Sequence, residues 1–278
     1  MLSIIISSYQ SQLFTSLQTN IAETCGIPYE IIKIDNPGLM GICQAYNIGG
    51  EKAQYSNLLF IHEDILFIDT NWGPKLLRNL ELPNCGVIGV AGGDYYSYIP
   101  SSWSHRGHNS INIIQVVDKS FEQHNNSFTK NNSSQIVKGI DGVFLACKKD
   151  IFEKFRFNEK ITGYHGYDLI FSLSVAKKYS NYIIDEILIR HFSSGNRSKD
   201  WFNSILQVRE IIGQFPNQKI DKKVEMDAFY RLIFNLKNYE VARGRPILIA
   251  LKYINLKKFG LITTLKMTYL LHHLINRK

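Results

Sequence analysis

Three features of the 278-residue sequence predict an α/β fold, a mixed, mostly parallel sheet flanked by helices and followed by a C-terminal helical extension. Short β-branched runs alternate with helical stretches through about residue 93. The runs end in small or polar residues, as buried strands do at their carboxyl ends. Beyond about residue 198 only helical patterning remains. A hydrophobic share of 45% and a charged share of 20% supply a packed core and exclude a disordered, collagenous or coiled-coil chain.

The first strand is the apolar run at residues 2–8, and a helix over 12–24 ends at Gly26 and Pro28. Ile31, Ile32 and Ile34 form a second strand that stops at Asp35-Asn36-Pro37, which completes a βαβ unit. A helix over 42–54 leads to a third strand, 57–61, that runs into His62-Glu63-Asp64. A helix over 71–80 then precedes a strand at 86–90 that ends at Ala91-Gly92-Gly93. Past Gly93 the pattern loosens, and the Asn- and Ser-rich stretch 123–134 reads as a mobile loop. Order returns with a strand over 136–147, a short helix over 150–155, a Gly-Tyr-His-Gly-Tyr-Asp turn at 163–168 that opens a helix through Lys178, and a last strand over 182–189 before His191. Helices follow over 200–214, 223–239 and 247–275. The expected organisation is a domain at 1–198, divided into halves at 1–93 and 94–198, and a basic helical extension at 199–278.

The net charge of +8 is localised. Glu240 is the last acidic residue, and eight of the 32 Lys and Arg lie from Arg243 onward, so the other 24 balance the 24 acids. A neutral body argues against a protein-wide nucleic-acid footprint, and no nucleic-acid partner is expected. Cys25, Cys43, Cys85 and Cys147 lack any C-x-x-C spacing, which fits a reducing compartment better than a disulfide or zinc scaffold. The apolar start has no basic flank or cleavage site, and no apolar run reaches the roughly 20 residues of a membrane span. A cytoplasmic protein is expected.

In open parallel sheets, ligands bind beyond the carboxyl ends of the strands. Ser7-Ser8, Asp35-Asn36, His62-Glu63-Asp64 and Gly92-Gly93 all fall at such ends and can converge on one crevice of nucleotide size. Neither G-x-G-x-x-G nor G-x-x-x-x-G-K-[ST] occurs, so another device must neutralise phosphates. Residues 62 and 64 point the same way on an extended segment, which places an imidazole and a carboxylate together where a divalent cation could bridge to a diphosphate. Taken alone, the trio reads first as a polar cap on the turn that follows.

The ordered set Leu2-Ser3-Ile4-Ile5-Ile6-Ser7-Ser8-Tyr9, Ile34-Asp35-Asn36, Ala45-Tyr46-Asn47-Ile48-Gly49 and Leu59-Phe60-Ile61-His62-Glu63-Asp64, continued by Gly142-Val143-Phe144-Leu145-Ala146 and Gly166-Tyr167-Asp168-Leu169-Ile170-Phe171, resembles the family-two glycosyltransferases of the GT-A (Rossmann-like) fold. The resemblance covers most of residues 1–195. It implies an inverting transfer of a sugar from a nucleoside diphosphate sugar, a UDP-sugar first, to a hydroxyl of a saccharide or lipid-linked saccharide, with Mn²⁺ or Mg²⁺ as cofactor.

Carried onto this chain, the resemblance places Ser7, Asp35, Asn47, His62 and Asp141 around the nucleotide sugar, Asp35 accepting from the base. Asp64 matches the last Asp of the family's Asp-x-Asp metal motif, and His191 a further metal ligand. Asp168 matches the general base of a Glu-Asp pair. The sequence departs from the pattern at His62, where the motif has its first Asp, and at Tyr167, where the pair has Glu. Those departures keep a rival reading open, a non-catalytic protein of the same fold that binds nucleotide sugar or glycan. Capping also fits Asp168, a hydrogen-bonded surface histidine fits His191, and loop capping fits Asp141.

Tyr95, Tyr96, Tyr98 and Trp103 offer flat faces to a sugar acceptor, or to core packing. His105, Arg106 and His108 can face a phosphate or solvent. The tail is amphipathic, with Ile247, Leu248, Leu251, Ile254, Leu265, Leu270, Leu271 and Leu274 among lysines. It fits helices that pack on the core or form a homodimer, and equally a peripheral surface on which Lys252, Lys257, Lys258 and Lys266 meet anionic lipid at the inner face of a bacterial membrane.

Overall fold

The computed structural model describes residues 1–118, 121–129, 133–193, 195, 197–215, 218–239 and 246–276. In chain order the elements are β1 (Leu2–Ser8), α1 (Ser11–Thr24), β2 (Tyr29–Asp35), α2 (Ile42–Lys52), β3 (Asn57–Ile61), β4 (Ile65–Phe67), α3 (Trp72–Asn79), β5 (Cys85–Gly89), β6 (Ala91–Gly93), β7 (Asn109–Asp118), β8 (Phe121–Asn126), β9 (Ser134–Val137), β10 (Gly139–Ile140), β11 (Phe144–Lys148), α4 (Lys149–Phe155), α5 (Tyr167–Ala176), β12 (Ser180–Ile184), β13 (Ile189–His191), α6 (Lys199–Ile212), α7 (Lys222–Asn238), α8 (Pro246–Leu251) and α9 (Leu256–Asn276).

The main sheet has the order β2-β1-β3-β11-β5-β12-β9. β1 pairs in parallel with β2 and β3, and β5 with β12, whereas β11 runs antiparallel between β3 and β5. The mixed, mostly parallel sheet expected from the sequence is therefore present. β1 is buried along nearly its whole length because both sheet faces are covered, and its continuous Ile run reflects that. One face packs with Tyr46, Phe60, Phe152, Phe157 and Phe171, the other with Trp72, Phe67 and Phe144.

A second sheet, β10-β6-β7-β13-β4 with β8 on β7, was not anticipated, and it corrects three sequence expectations. The single strand over 136–147 is three strands. Asp141 Oδ1 accepts from the Val143 amide at 3.0 Å, a side-chain turn that swings the chain from β10 in the second sheet to β11 in the first. The single strand over 182–189 is likewise divided between β12 and β13, and the Asn112 side chain donates to the carbonyls of Asp185 and Ile187 at the crossing. The expected loop at 123–134 contains the end of β8, paired antiparallel with β7, and the start of β9; residues 130–132 lie outside the described residues. β8 is exposed on both faces, so no hydrophobic alternation marks it.

The C-terminal helices form their own apolar cluster around Phe202, Phe229, Leu232, Phe259 and Met267. α6 also reaches the main core through Ile205, Val208 and Ile212, so it joins the two clusters. Asp221 caps α7 through the amides of Lys223 and Val224. Among the described residues no helix is long and apolar enough to cross a membrane. Arg243, Arg245, Arg277 and Lys278 of the basic tail lie outside the described residues.

Candidate active site

β3 ends at Ile61, and the next three residues alternate in direction. Glu63 turns inward and is 5% exposed. Its Oε1 accepts from the amides of Tyr9 and Gln10 at 3.2 and 3.1 Å, where α1 begins without a capping side chain of its own. The carboxylate thereby fixes the β1–α1 corner to the end of β3. His62 and Asp64 face the other way.

β4 then pairs antiparallel with β13, setting His191 opposite Ile65, and the Phe192 amide donates to the Asp64 carbonyl at 3.0 Å. This pairing brings together three residues distant in sequence. His62 Nδ1 lies 3.8 Å and His191 Nε2 3.6 Å from Asp64 Oδ1, and one ligand atom from each residue falls within 4.8 Å of the others. Both contacts to Asp64 exceed hydrogen-bond length, which leaves room for a shared cation.

The remaining imidazole nitrogens are occupied. His191 Nδ1 is 3.1 Å from Gln115 Oε1, an atom that can only accept, so Nδ1 carries the proton and Nε2 keeps a lone pair, which accepts from the Ser193 hydroxyl at 3.1 Å and lies 3.6 Å from Asp64 Oδ1. His62 Nε2 is 2.7 Å from the Tyr167 hydroxyl. Burial lowers the His62 pKa, which favours the neutral imidazole that a metal requires. Two imidazoles, each oriented through its second nitrogen, and one carboxylate form a donor set suited to a divalent cation.

Asp168 opens α5, and its Oδ2 accepts from the Gly142 amide at 3.1 Å. Burial, and then the nearby Asp141 charge, raise its pKa to about 7. Asp141 Oδ2 accepts from Trp103 Nε1 at 3.0 Å. A Cβ on Gly142 would lie 2.0 Å from the Tyr167 hydroxyl oxygen, so only glycine leaves room for that phenol. Tyr167 is buried beside Tyr46 and Phe157, and burial holds its hydroxyl protonated.

His62, Asp141, Tyr167, Asp168 and His191 line a cavity of about 430 Å³. The residues inferred from the sequence thus divide into three sets. His62, Asp64, Asp141, Asp168 and His191 converge. Ser7 and Asp35 stand at the adjoining ends of β1 and β2, outside this lining; Ser7 accepts from Asn36 at 3.3 Å, and the exposed Asp35 pairs with Lys33 at 2.6 Å. Asn47 does not join them. It is 3% exposed and bonds Phe157 through its backbone and Glu159 through its side chain, which closes the turn after α4.

Of the aromatic residues, Trp103 lines the cavity, whereas Tyr95 and Tyr96 are buried. His108 lies between Asp94 at 2.7 Å and Asp221 at 3.4 Å. Gln115 and the inward role of Glu63 escaped the sequence reading. Gln115 lies on β7, a strand that the sequence pattern did not reveal, and Glu63 reads as part of a polar trio until the strand direction is known.

A sequence profile described as a glycosyltransferase like family matches residues 3–219. The chain belongs to that family. No curated protein sequence matches the chain. Among solved structures, S. aureus TarS 1-349 in complex with UDP is similar with a TM-score of 0.61 and 10% identity, over 98% of this chain and 88% of that one. GalNAc-T7 with UDP, GalNAc and Mn2+ is similar with a TM-score of 0.55 and 10% identity, over 96% of this chain. The chain spans about half of the GalNAc-T7 chain, 55%. At these identities the likeness establishes the fold, which is GT-A-like: a central mixed sheet flanked by helices, with a helical region after it. In this member of the glycosyltransferase like family, the His62-Asp64-His191 cluster follows the carboxyl end of β3, and His62, His191 and Asp168 line one cavity.

Proposed function

We propose that the protein is a metal-dependent, inverting glycosyltransferase that moves a sugar from a nucleoside diphosphate sugar, UDP-linked in the first instance, to a hydroxyl of a saccharide or lipid-linked saccharide. The observation that carries the reading is the convergence of a cation-competent cluster and a carboxylate of raised pKa on one cavity. His62, Asp64 and His191 hold the cation. Two imidazoles favour Mn²⁺ over Mg²⁺, which prefers oxygen ligands. When bound, the cation supplies positive charge to the departing diphosphate.

Asp168 is the base in this account. As the acceptor oxygen bonds the anomeric carbon, the carbon–oxygen bond to the diphosphate breaks, and the acceptor proton passes to Asp168. A pKa of about 7 makes Asp168 a stronger base than an ordinary carboxylate while leaving it half-ionised near neutrality. Asp141, held by Trp103 and its own turn, contacts donor-sugar hydroxyls. Ser7 and Asp35 meet the nucleoside at the far end of the crevice. Asn47 supports the site from behind by fixing the turn after α4.

The departures at His62 and Tyr167 favour a second reading, in which the nucleotide sugar or glycan is bound without turnover. Incubation with UDP-sugars and Mn²⁺ separates the two. Release of UDP that depends on Mn²⁺ and on Asp168 supports transfer; tight nucleotide binding with no release supports the binding protein.

The exposed Leu248, Leu251, Leu261, Ile262 and Leu265, with Lys252, Lys257, Lys258 and Lys266 among them, give the C-terminal helices an apolar and basic surface. This surface supports peripheral attachment to the cytoplasmic face of an anionic membrane, or pairing with a second copy.

A further inference from the structure

A second cavity, of about 550 Å³, adjoins the first, and the two share Ser102, Arg197, Trp201 and Ile205 in their linings. It runs from the candidate active site between α6 and α7. Its lining includes Arg197 and Arg231 and contains no Asp or Glu. Among the described residues neither guanidinium makes an ion pair with a carboxylate; Arg197 lies over the Trp201 ring at 6.0 Å. Tyr230 and Phe234, both half-exposed, also line the groove. His105 in the same wall is held neutral, its pKa lowered to about 4 by burial and then by Arg231, so the groove's charge comes from the arginines.

Unpaired guanidinium groups bind phosphate or carboxylate, often through two parallel hydrogen bonds. Aromatic faces beside them suit the apolar face of a sugar ring. A groove that opens from the reacting cavity and combines both chemistries is a place for the acceptor.

We propose that this groove is the acceptor subsite and that the acceptor is an anionic saccharide, one whose phosphate or carboxylate is held by Arg231 and Arg197 while its rings lie against Trp201, Tyr230 and Phe234. The assignment of the groove to an acceptor rests on the glycosyltransferase reading above. The binding chemistry does not, and it is measurable without donor or turnover.

The test is titration of the full chain with glucose 6-phosphate, glucuronate, glucose and inorganic phosphate, monitored by ligand-observed NMR, for the parent protein and for Arg231→Gln and Arg231→Lys. Arg231 is an exposed residue of α7, and equal melting temperatures establish that the variants fold. The anionic sugars are expected to bind more tightly than glucose and than inorganic phosphate. Arg231→Gln weakens the anionic sugars about tenfold, Arg231→Lys weakens them less, and binding of UDP with Mn²⁺ stays unchanged in both. Equal binding of charged and neutral sugars, or no effect of Arg231→Gln, overturns the anionic subsite. Phosphate binding as strong as that of glucose 6-phosphate overturns the saccharide part. Loss of UDP affinity in Arg231→Gln assigns Arg231 to the donor site and overturns the proposal. A chain that binds anionic sugars here but no nucleotide defeats the transferase reading and leaves the groove's chemistry standing.

Discussion

The Tyr167 hydroxyl lies 2.7 Å from Nε2 of His62, so a residue of α5 orients an imidazole at the end of β3. Both positions carry an acid in the family pattern, and here two neutral groups satisfy one another. The pair has a functional consequence: with Nε2 engaged, Nδ1 faces Asp64.

Tyr167→Phe removes that hydrogen bond and keeps the ring packed against Tyr46 and Phe157. Loss of such an orienting partner lowers metal affinity by about 10–100-fold. Mn²⁺ titration followed by electron paramagnetic resonance is expected to show this weakening with a stability loss of only about 1 kcal/mol. Unchanged Mn²⁺ affinity would mean that Tyr167 only packs.

Gly142→Ala sets a methyl where the Tyr167 oxygen lies. The phenol must move, so the variant is expected to reproduce the metal defect of Tyr167→Phe and to add an overpacking cost of about 1–3 kcal/mol, read from chemical denaturation. A stable variant with normal Mn²⁺ affinity would contradict the close approach.

How much of this was legible beforehand depended on period and on chain distance. β1 and β3 were readable because buried strands are continuous apolar runs bounded by turn residues, and β2, a half-buried edge strand, because its isoleucines stop at Asp35-Asn36-Pro37. β4, β6 and β10 are two or three residues long and leave no periodic trace. The break of the 136–147 run depends on Asp141 bonding its own backbone, which composition does not announce. At the site, His62, Asp64, Asp168 and His191 were inferred individually from the resemblance. The hydrogen bonds that hold the site, from Gln115 to His191, Tyr167 to His62 and Trp103 to Asp141, become visible only once the chain is folded, because they span sequence separations of 76, 105 and 38 residues.

Asp168→Asn keeps the shape of the side chain and removes the proton acceptor. Donor affinity is expected to persist while transfer falls about 10²–10⁴-fold. In the parent enzyme, activity should rise with pH to a plateau above about 7, as Asp168 ionises, and the residual activity of the variant should lack that limb. Near-normal transfer would remove Asp168 as the base and turn attention to Asp141.

The same carboxyl couples folding to pH. Its folded pKa, about 7, is above the ordinary 3.8, so between these values the folded chain holds a proton that the unfolded chain has released. The resulting stabilisation declines as pH rises across that window. Urea denaturation of parent and Asp168→Asn at pH 4.5 and 7.5 is expected to show a steeper loss in the parent; equal slopes would contradict the raised pKa.

Charge reversal of Lys252, Lys257, Lys258 and Lys266 to Glu should reduce sedimentation with anionic vesicles while leaving UDP binding intact. Undiminished vesicle binding, or a change in oligomeric state alone, would favour the pairing of two copies over the membrane.

The most direct test of the central claim, that His62, Asp64 and His191 hold a cation for a nucleoside diphosphate, is the melting temperature of the parent chain and of Asp64→Ala with UDP, with Mn²⁺, and with both. Ligand that binds only the folded chain raises stability as RT ln(1 + [L]/Kd). The account predicts a clear upward shift for the parent with UDP and Mn²⁺ together, a small one with UDP alone, and no Mn²⁺-dependent gain in Asp64→Ala. An equal gain in Asp64→Ala, or a UDP shift in the parent that is indifferent to Mn²⁺, would contradict it.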